Sequence, residues 1–260
     1  MLANRRKPAA HIVPLWTMPQ SAQTKSLPLE GKVGTKCSDE VERKNIKMRE
    51  DFVRKLEKEL YAKLGLVYRD IDDENQKDDI RLREGNTYFY SVVEGMEIHE
   101  PDEAHPYPYC QQDEMEIRKD RYLLPKGMPA ESKLYFGVFD DDERYLAADD
   151  IESTQKPEPR FGRCLAIVDL VMGYPTEEYV YIGWFILENE VHGVGLAANI
   201  MDVLYSVSRK LGYKYIKLSA YDVNEPGMKF WRKQGFKEDG FVMRKTGKGE
   251  LRLNKLIREL

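Results

Sequence analysis

The segment that most restricts how this chain folds is a strand, a glycine loop and a helix in direct succession. Tyr179 to Leu187 is apolar at almost every position, so both faces call for burial, and such a strand belongs in the middle of a sheet. Glu190-Val191-His192-Gly193-Val194-Gly195 comes next, and then Leu196, Ile200, Val203, Leu204, Val207 and Leu211 recur at helical spacing before Gly212, a left-handed stop. A glycine turn between a central strand and a helix N-terminus presents free backbone N–H groups at the positive end of the helix dipole, which suits a pyrophosphate. On spacing alone the same turn also reads as a plain structural corner.

The surroundings extend this unit into a sheet. Tyr215 to Tyr221 alternates Ile216, Leu218 and Ala220 with polar neighbours, and a short helix is expected from Glu225 to Gln234, with Asn224 able to cap it and Pro226 tolerated in its first turn. Upstream, Leu134 to Phe139 and Cys164 to Met172 read as strands. The turn-rich segment 144–163 between them reads as an insertion. Phe52, Leu56, Leu60 and Leu64 recur every fourth position, so 41–64 is expected to be a helix that packs on the downstream domain. The acidic stretch Asp70 to Asp79 is expected to be a loop leading into a short strand at Ile80 to Arg83, and 86–122 to hold loops and short helices. The fold class is therefore α/β (α+β), a mixed central sheet flanked by helices. The expected organisation is a basic arm at 1–40, a helical extension and acidic loop at 41–79, and a main domain at 80–260.

Composition removes several classes of function. The net charge of −4, from 41 basic and 45 acidic residues, argues against nucleic acid as a general partner. The apolar run Tyr181 to Leu187 falls far short of the roughly 20 residues of a bilayer-spanning helix. Cys37, Cys110 and Cys164 are odd in number and widely separated, which fits neither a disulfide framework nor paired zinc spacings. No metal is expected, and the chain reads as cytoplasmic. The first 29 residues lack Asp and Glu but hold Arg5, Arg6, Lys7 and Lys25, a pattern shared by organelle transit peptides and flexible basic arms. The prolines at 8, 14, 19 and 28 favour an unstructured arm.

The run from Tyr181 to Leu196, with Asn224 to Phe236 (Asn-Glu-Pro-Gly-Met-Lys-Phe-Trp-Arg-Lys-Gln-Gly-Phe) behind it, resembles the two cofactor motifs of the GNAT (Gcn5-related) N-acetyltransferase superfamily in order and spacing. Tyr88 to Gly95, Leu124 to Gly127, Leu134 to Asp140 and Ala166 to Pro175 resemble the layout of a subgroup of small bacterial GNAT proteins; residues 1–79 and 144–163 lie outside that likeness. The resemblance implies a sheet whose fourth and fifth strands splay apart, with acetyl-CoA in the cleft. It implies that the backbone of Phe185, Ile186 and Leu187 meets the pantetheine arm as an added strand would. Glu190, Val191, His192, Gly193, Val194, Gly195 and Leu196 would then hold the pyrophosphate, and Asn224 and Trp231 would contact the cofactor. Two positions depart from the usual pattern. Glu190 stands where Gln or Arg is common, a negative charge beside a pyrophosphate. Trp231 stands where a Tyr often protonates the departing thiolate, and indole cannot act as that acid. Asn224 also reads as a helix cap, and Trp231 as a core aromatic.

The activity so implied is acetyl transfer from acetyl-CoA to a primary amine of a small molecule or protein, by direct attack. Asp169, Glu188 and Glu190 are the candidate bases, although Asp169 also fits a buried hydrogen-bonding anchor. Tyr88 and Tyr90 are candidates for the acceptor pocket. His192 is expected to be exposed. Lys229, Arg232 and Lys233 could meet phosphates or form a solvated helix face. The competing reading is a catalytically silent acyl-CoA-binding module that acts through interactions. Oligomeric state is left open, a homodimer being among the arrangements allowed.

Overall fold

The computed structural model describes residues 35–84, 114–140, 162–246 and 249–260. Helix α1 spans Thr35–Leu64, β1 Leu66–Asp70, α2 Gln76–Glu84, α3 Glu114–Asp120, β2 Lys133–Asp140, β3 Cys164–Met172 and β4 Tyr179–Leu187. Then come α4 at Leu196–Lys210, β5 at Tyr215–Tyr221, α5 at Glu225–Lys233, β6 at Lys237–Thr246 and β7 at Gly249–Glu259. These strands form one seven-stranded sheet in the order β1-β2-β3-β4-β5-β7-β6. Among the described strands only β4 and β5 run parallel, because α4 carries the chain back over the sheet between them.

Two apolar layers cover the sheet. On one face Leu134, Phe136 and Val138 of β2, Ala166, Val168 and Leu170 of β3, and Val180 and Ile182 of β4 meet α4 through Ile200, Val203, Leu204 and Val207. Helix α1 joins this layer through Phe52, Leu56 and Leu60, all fully buried. The other face is a smaller cluster of Ile71, Leu82, Tyr135, Phe139, Cys164, Ile167, Trp184 and Ile186, to which α2 contributes. The alternation of β2 and β3 residues between the layers is the period-2 geometry of a strand.

Several expectations are corrected here. The short strand expected at Ile80 to Arg83 is the second half of helix α2, because Gln76, Asp79, Leu82 and Arg83 turn one helical face inward. Residues 66–70, the last of which falls in the expected acidic loop, supply the edge strand of the same sheet, paired antiparallel with β2, and place Leu66 and Tyr68 in the larger apolar cluster with Phe52, Leu56 and Leu60 of α1. The β6–β7 hairpin, for which no sequence pattern was assigned, places β7 between β5 and β6. The insertion at 144–163 falls almost wholly outside the described residues, as do most of the expected loops and short helices at 86–122 and residues 1–34 of the expected arm at 1–40, whose residues 35–40 begin helix α1.

Two irregularities in β4 prepare the site. Parallel pairing with β5 runs only from Tyr179↔Tyr215 to Ile182↔Leu218, after which β4 continues to Leu187 and Ser219 to Tyr221 pair with β7 alone. The strands part at that point, and Tyr181 pins it by donating a hydrogen bond to Ser219 Oγ at 2.9 Å. At the same level β4 bulges: Asp169 faces Trp184, Leu170 faces Ile182, and Gly183 has no partner on β3. The extra residue inverts the alternation, so Phe185 and Leu187 join the α4 layer while Trp184 and Ile186 turn to the opposite face.

Candidate acyl-CoA site

Beyond the bulge, β4 ends in a single 3-10 turn at Asn189–Val191 and enters α4 through Gly193 and Gly195, at φ +78° and +90°. Both angles lie in the left-handed region, where a side chain is strained. Gly195 is the N-cap of α4 and brings no side-chain acceptor, so the N–H groups of the first turn stay available to a ligand. Opposite, Asn224 Oδ1 accepts from Gly227 N at 2.9 Å and starts α5, which leans over the loop. Between them lies a cavity of about 530 Å³, lined on one side by Leu187, Val191, His192, Gly193, Gly195 and the first residues of α4. Glu225, Lys229, Phe230, Lys233 and Gln234 of the α5 segment form the other wall.

The structure thus gathers Leu187, Val191, His192, Gly193, Gly195 and Leu196 around one cavity. Other expected residues do not reach its wall. Val194 is exposed, and Ile186 faces the opposite layer. Trp231 is fully buried against Phe185, Phe230 and Phe236, with ring centroids 5.9, 4.8 and 5.2 Å away, which is core packing. Asn224 is buried as the α5 cap. Glu190 is 67% exposed and turns to Arg163, whose Nη1 lies 2.9 Å from its Oε2, so its charge is answered away from the cavity. His192, expected to be exposed, is buried, with Nε2 3.1 Å from Leu187 O. Burial lowers its pKa, and the ring is neutral at pH 7. Tyr88 and Tyr90 lie outside the described residues.

The basic helix face divides. Lys229 and Lys233, one turn apart, line the cavity and make no ion pair among the described residues, whereas Arg232 pairs with Glu238 at 3.4 Å. Spacing alone left the three together; only the docking angle of α5 separates them.

The candidate bases occupy different environments. Glu188 is bracketed by the guanidiniums of Arg81 and Arg163. Asp169 is fully buried on β3, and Lys133 Nζ stands 3.0 Å from its Oδ2. Burial pushes its carboxyl up to about 6, Lys133 pulls it down, and Asp120 adds to the rise. Around it lies a polar network that no sequence pattern announced as a unit. Arg83, nearly inaccessible, donates to Asp79 at 2.8 Å and to Asp120 at 2.6 Å and lies over the Trp184 ring at 4.6 Å. Tyr135 donates to Asp79 at 2.6 Å. The helical i,i+4 spacing of Asp79 and Arg83 was the available signal, hidden by the acidic run before it.

Among the described residues no group of three or more His, Cys, Asp or Glu side chains is placed to hold a metal ion, and no helix is long and apolar enough to cross a membrane.

The model of the acetyltransferase (GNAT) family matches residues 96–236. Among solved structures, a GCN5-related N-acetyltransferase from Kribbella flavida is 15% identical and covers 75% of this chain and 98% of its own, at a TM-score of 0.43. A putative phosphinothricin N-acetyltransferase is 14% identical with the same coverages and a TM-score of 0.47. The ribosomal-protein-S18-alanine N-acetyltransferase from Escherichia coli is 11% identical, covering 75% of this chain and 93% of its own, at 0.46. No curated protein sequence matches. With the family model spanning most of the sheet, the glycine loop and α5, the chain belongs to the GNAT acetyltransferase family.

Proposed function

We propose that this chain transfers an acetyl group from acetyl-CoA to a primary amine by direct attack on the thioester. The observation that carries the reading is the cavity between the α4 N-terminus and α5, where backbone N–H groups and the Lys229 and Lys233 ammoniums face one space. That combination suits the phosphates of CoA. The β4 backbone from Gly183 to Leu187, past the end of its pairing with β5, offers the pantetheine amides a strand edge. At the point where β4 and β5 part, a strand N–H can polarise the thioester carbonyl as charge develops on it.

In the reaction the amine nitrogen bonds to the thioester carbon, the C–S bond breaks, and the amine loses a proton. A lysine-type ammonium costs about 4.6 kcal/mol to deprotonate at pH 7, an α-ammonium only about 1 kcal/mol. Asp169 is the group best suited to receive that proton. Its carboxyl stands at about 6, so it is ionised at pH 7 yet readily protonated. Glu188 and Glu190 are each engaged by arginine side chains. The thiolate leaves without a tyrosine acid, which a thiol of pKa about 8.5 tolerates.

Calorimetry with acetyl-CoA, and then thiol release over a panel of amines, tests the proposal. Binding with release is expected, and absence of binding at millimolar acetyl-CoA would overturn it. The second reading, a silent acyl-CoA-binding module, draws on the buried indole of Trp231 in place of a phenol. Tight binding without release over the whole panel would favour it.

A further inference from the structure

His192 stands at the corner where the open edge of β4 meets the glycine loop. Glu188 N–H donates to Leu165 O on β3, and the β3–β4 register continues with Ala166↔Leu187. In an antiparallel pair, successive residues direct their backbone groups alternately toward and away from the partner strand. Leu187 C=O therefore turns away from β3, into the gap that opens where β5 departs after Ile182. There it lies 3.1 Å from His192 Nε2. A carbonyl oxygen only accepts, so Nε2 carries the hydrogen, and the neutral ring keeps its lone pair on Nδ1.

This corner is also where the proposed ligand changes character. Pantetheine would run along the β4 edge up to it, and the phosphates would lie beyond it, over the first turn of α4. His192 is buried, yet it lines the cavity together with Gly193, Gly195 and Leu187. A neutral imidazole offers a pyrophosphate no charge, whereas an imidazolium offers a charge and a second N–H. Burial keeps the ring neutral in the free protein, against the pull of Leu187 O and of Glu188 at the end of β4. From α5 the cavity receives Glu225, Lys229 and Lys233, and the first turn of α4 carries no acidic side chain. Glu188 is bracketed by Arg81 and Arg163, and Glu190 turns to Arg163. Two lysines and a helix N-terminus disfavour one more cation there until phosphate charges arrive and reverse the balance.

We propose that His192 takes up one proton from solvent when the pyrophosphate of acetyl-CoA enters this cavity, and so positions the cofactor as a cation clasped to the end of β4. The proposal rests on the cavity being the cofactor site. The proton goes to Nδ1, the Nε2–H bond to Leu187 O is kept in both forms, and no other bond is made or broken. A group that holds its proton more tightly in the complex than in the free protein strengthens binding at low pH. That gain is lost as pH rises through the value the group has in the complex.

Two measurements test this. With 15N-labelled histidine, the His192 ring resonances, assigned by their absence in His192→Gln and His192→Asn, are expected to report the Nε2–H neutral form in the free protein at pH 7. Saturation with acetyl-CoA is expected to move their titration midpoint to higher pH. Calorimetry then uses acetyl-dephospho-CoA, because a phosphate monoester titrates near pH 6 itself whereas the pyrophosphate does not. In two buffers of different ionisation enthalpy, wild-type protein is expected to take up protons on binding. Its Kd is expected to weaken about three- to tenfold between pH 5.5 and 8.

His192→Gln keeps an N–H donor for Leu187 O and cannot become charged, so its Kd is expected to be flat over this range and its binding free of proton uptake. A His192 midpoint that stays put or falls on binding, or equal proton uptake in His192→Gln, overturns the proposal while leaving the cofactor site standing. The wild-type resonances decide the matter even if the variants bind poorly. Failure of wild-type protein to bind acetyl-CoA at millimolar concentration overturns the proposed function and this inference together.

Discussion

Replacing Lys229 and Lys233 together by Gln tests the most specific feature of the cavity, the pairing of a helix N-terminus with two cations from the facing helix. Both lysines are solvent-accessible, so their attraction to a bound phosphate acts in a water-like medium, where unit charges 4 Å apart gain about 1 kcal/mol and side-chain entropy takes back part of it. For two such contacts the loss is about 1–2 kcal/mol, or roughly 5- to 30-fold in Kd. Titration calorimetry with acetyl-CoA at about 0.1 M salt reads this directly. The Debye length falls from about 10 Å there to about 3 Å at 1 M, so the difference between variant and wild type should shrink at high salt. Arg232→Gln is the control, because Arg232 pairs with Glu238, and it should leave Kd within about twofold. Glu225→Gln supplies the opposite sign: this carboxylate lines the same cavity, and its removal should tighten binding. A Lys229/Lys233 variant that binds like wild type at low salt, or an Arg232→Gln loss of equal size, would refute the placement of phosphates between α4 and α5.

Three more expectations concern the core and the loop. The carboxyl of Asp169 stands at about 6 in the folded chain against an ordinary 3.8, so the folded state holds its proton more tightly. That stabilisation is fully present below 3.8 and is lost as pH rises through about 6. Relative to Asp169→Asn, wild-type stability in urea should fall by about 1 kcal/mol between pH 5 and 7.5, and a flat or rising difference would contradict the assignment. Phe52→Ala should cost about 3–5 kcal/mol in a single cooperative urea transition, since Phe52 is fully buried in the α4 layer; a loss under about 1 kcal/mol, or a separate early transition, would make α1 a detachable extension. Glu190→Gln should change acetyl-CoA affinity less than about twofold, because Arg163 already neutralises this exposed carboxylate away from the cavity, and a tenfold gain by calorimetry would show that it faces the phosphates.

The strand, glycine loop and helix from Tyr179 to Leu211 were legible in the sequence because each is a local pattern. An unbroken apolar run, a pair of glycines and a helical apolar stripe are set by neighbours in the chain. The cap at Asn224 and the helix behind it were legible for the same reason. With the spacing between the two motifs, these elements determined the fold class and the location of the cavity.

What depended on distant segments was not legible. Whether α2 is a strand or a helix, whether β1 joins the sheet, and where β7 inserts are decided by register and by burial against other elements. The exchange of roles among charged residues is also tertiary. Arg163 claims Glu190, Glu238 claims Arg232, and Lys229 and Lys233 are left facing the cavity. The opposition of Asp169 and Trp184 arises from a bulge at Gly183, one extra residue whose effect is to change which side chains share a face. The sequence by itself determined that a glycine loop opens a helix after a central strand. Only the folded sheet decided which charges surround it, because those choices depend on contacts between residues far apart in the chain.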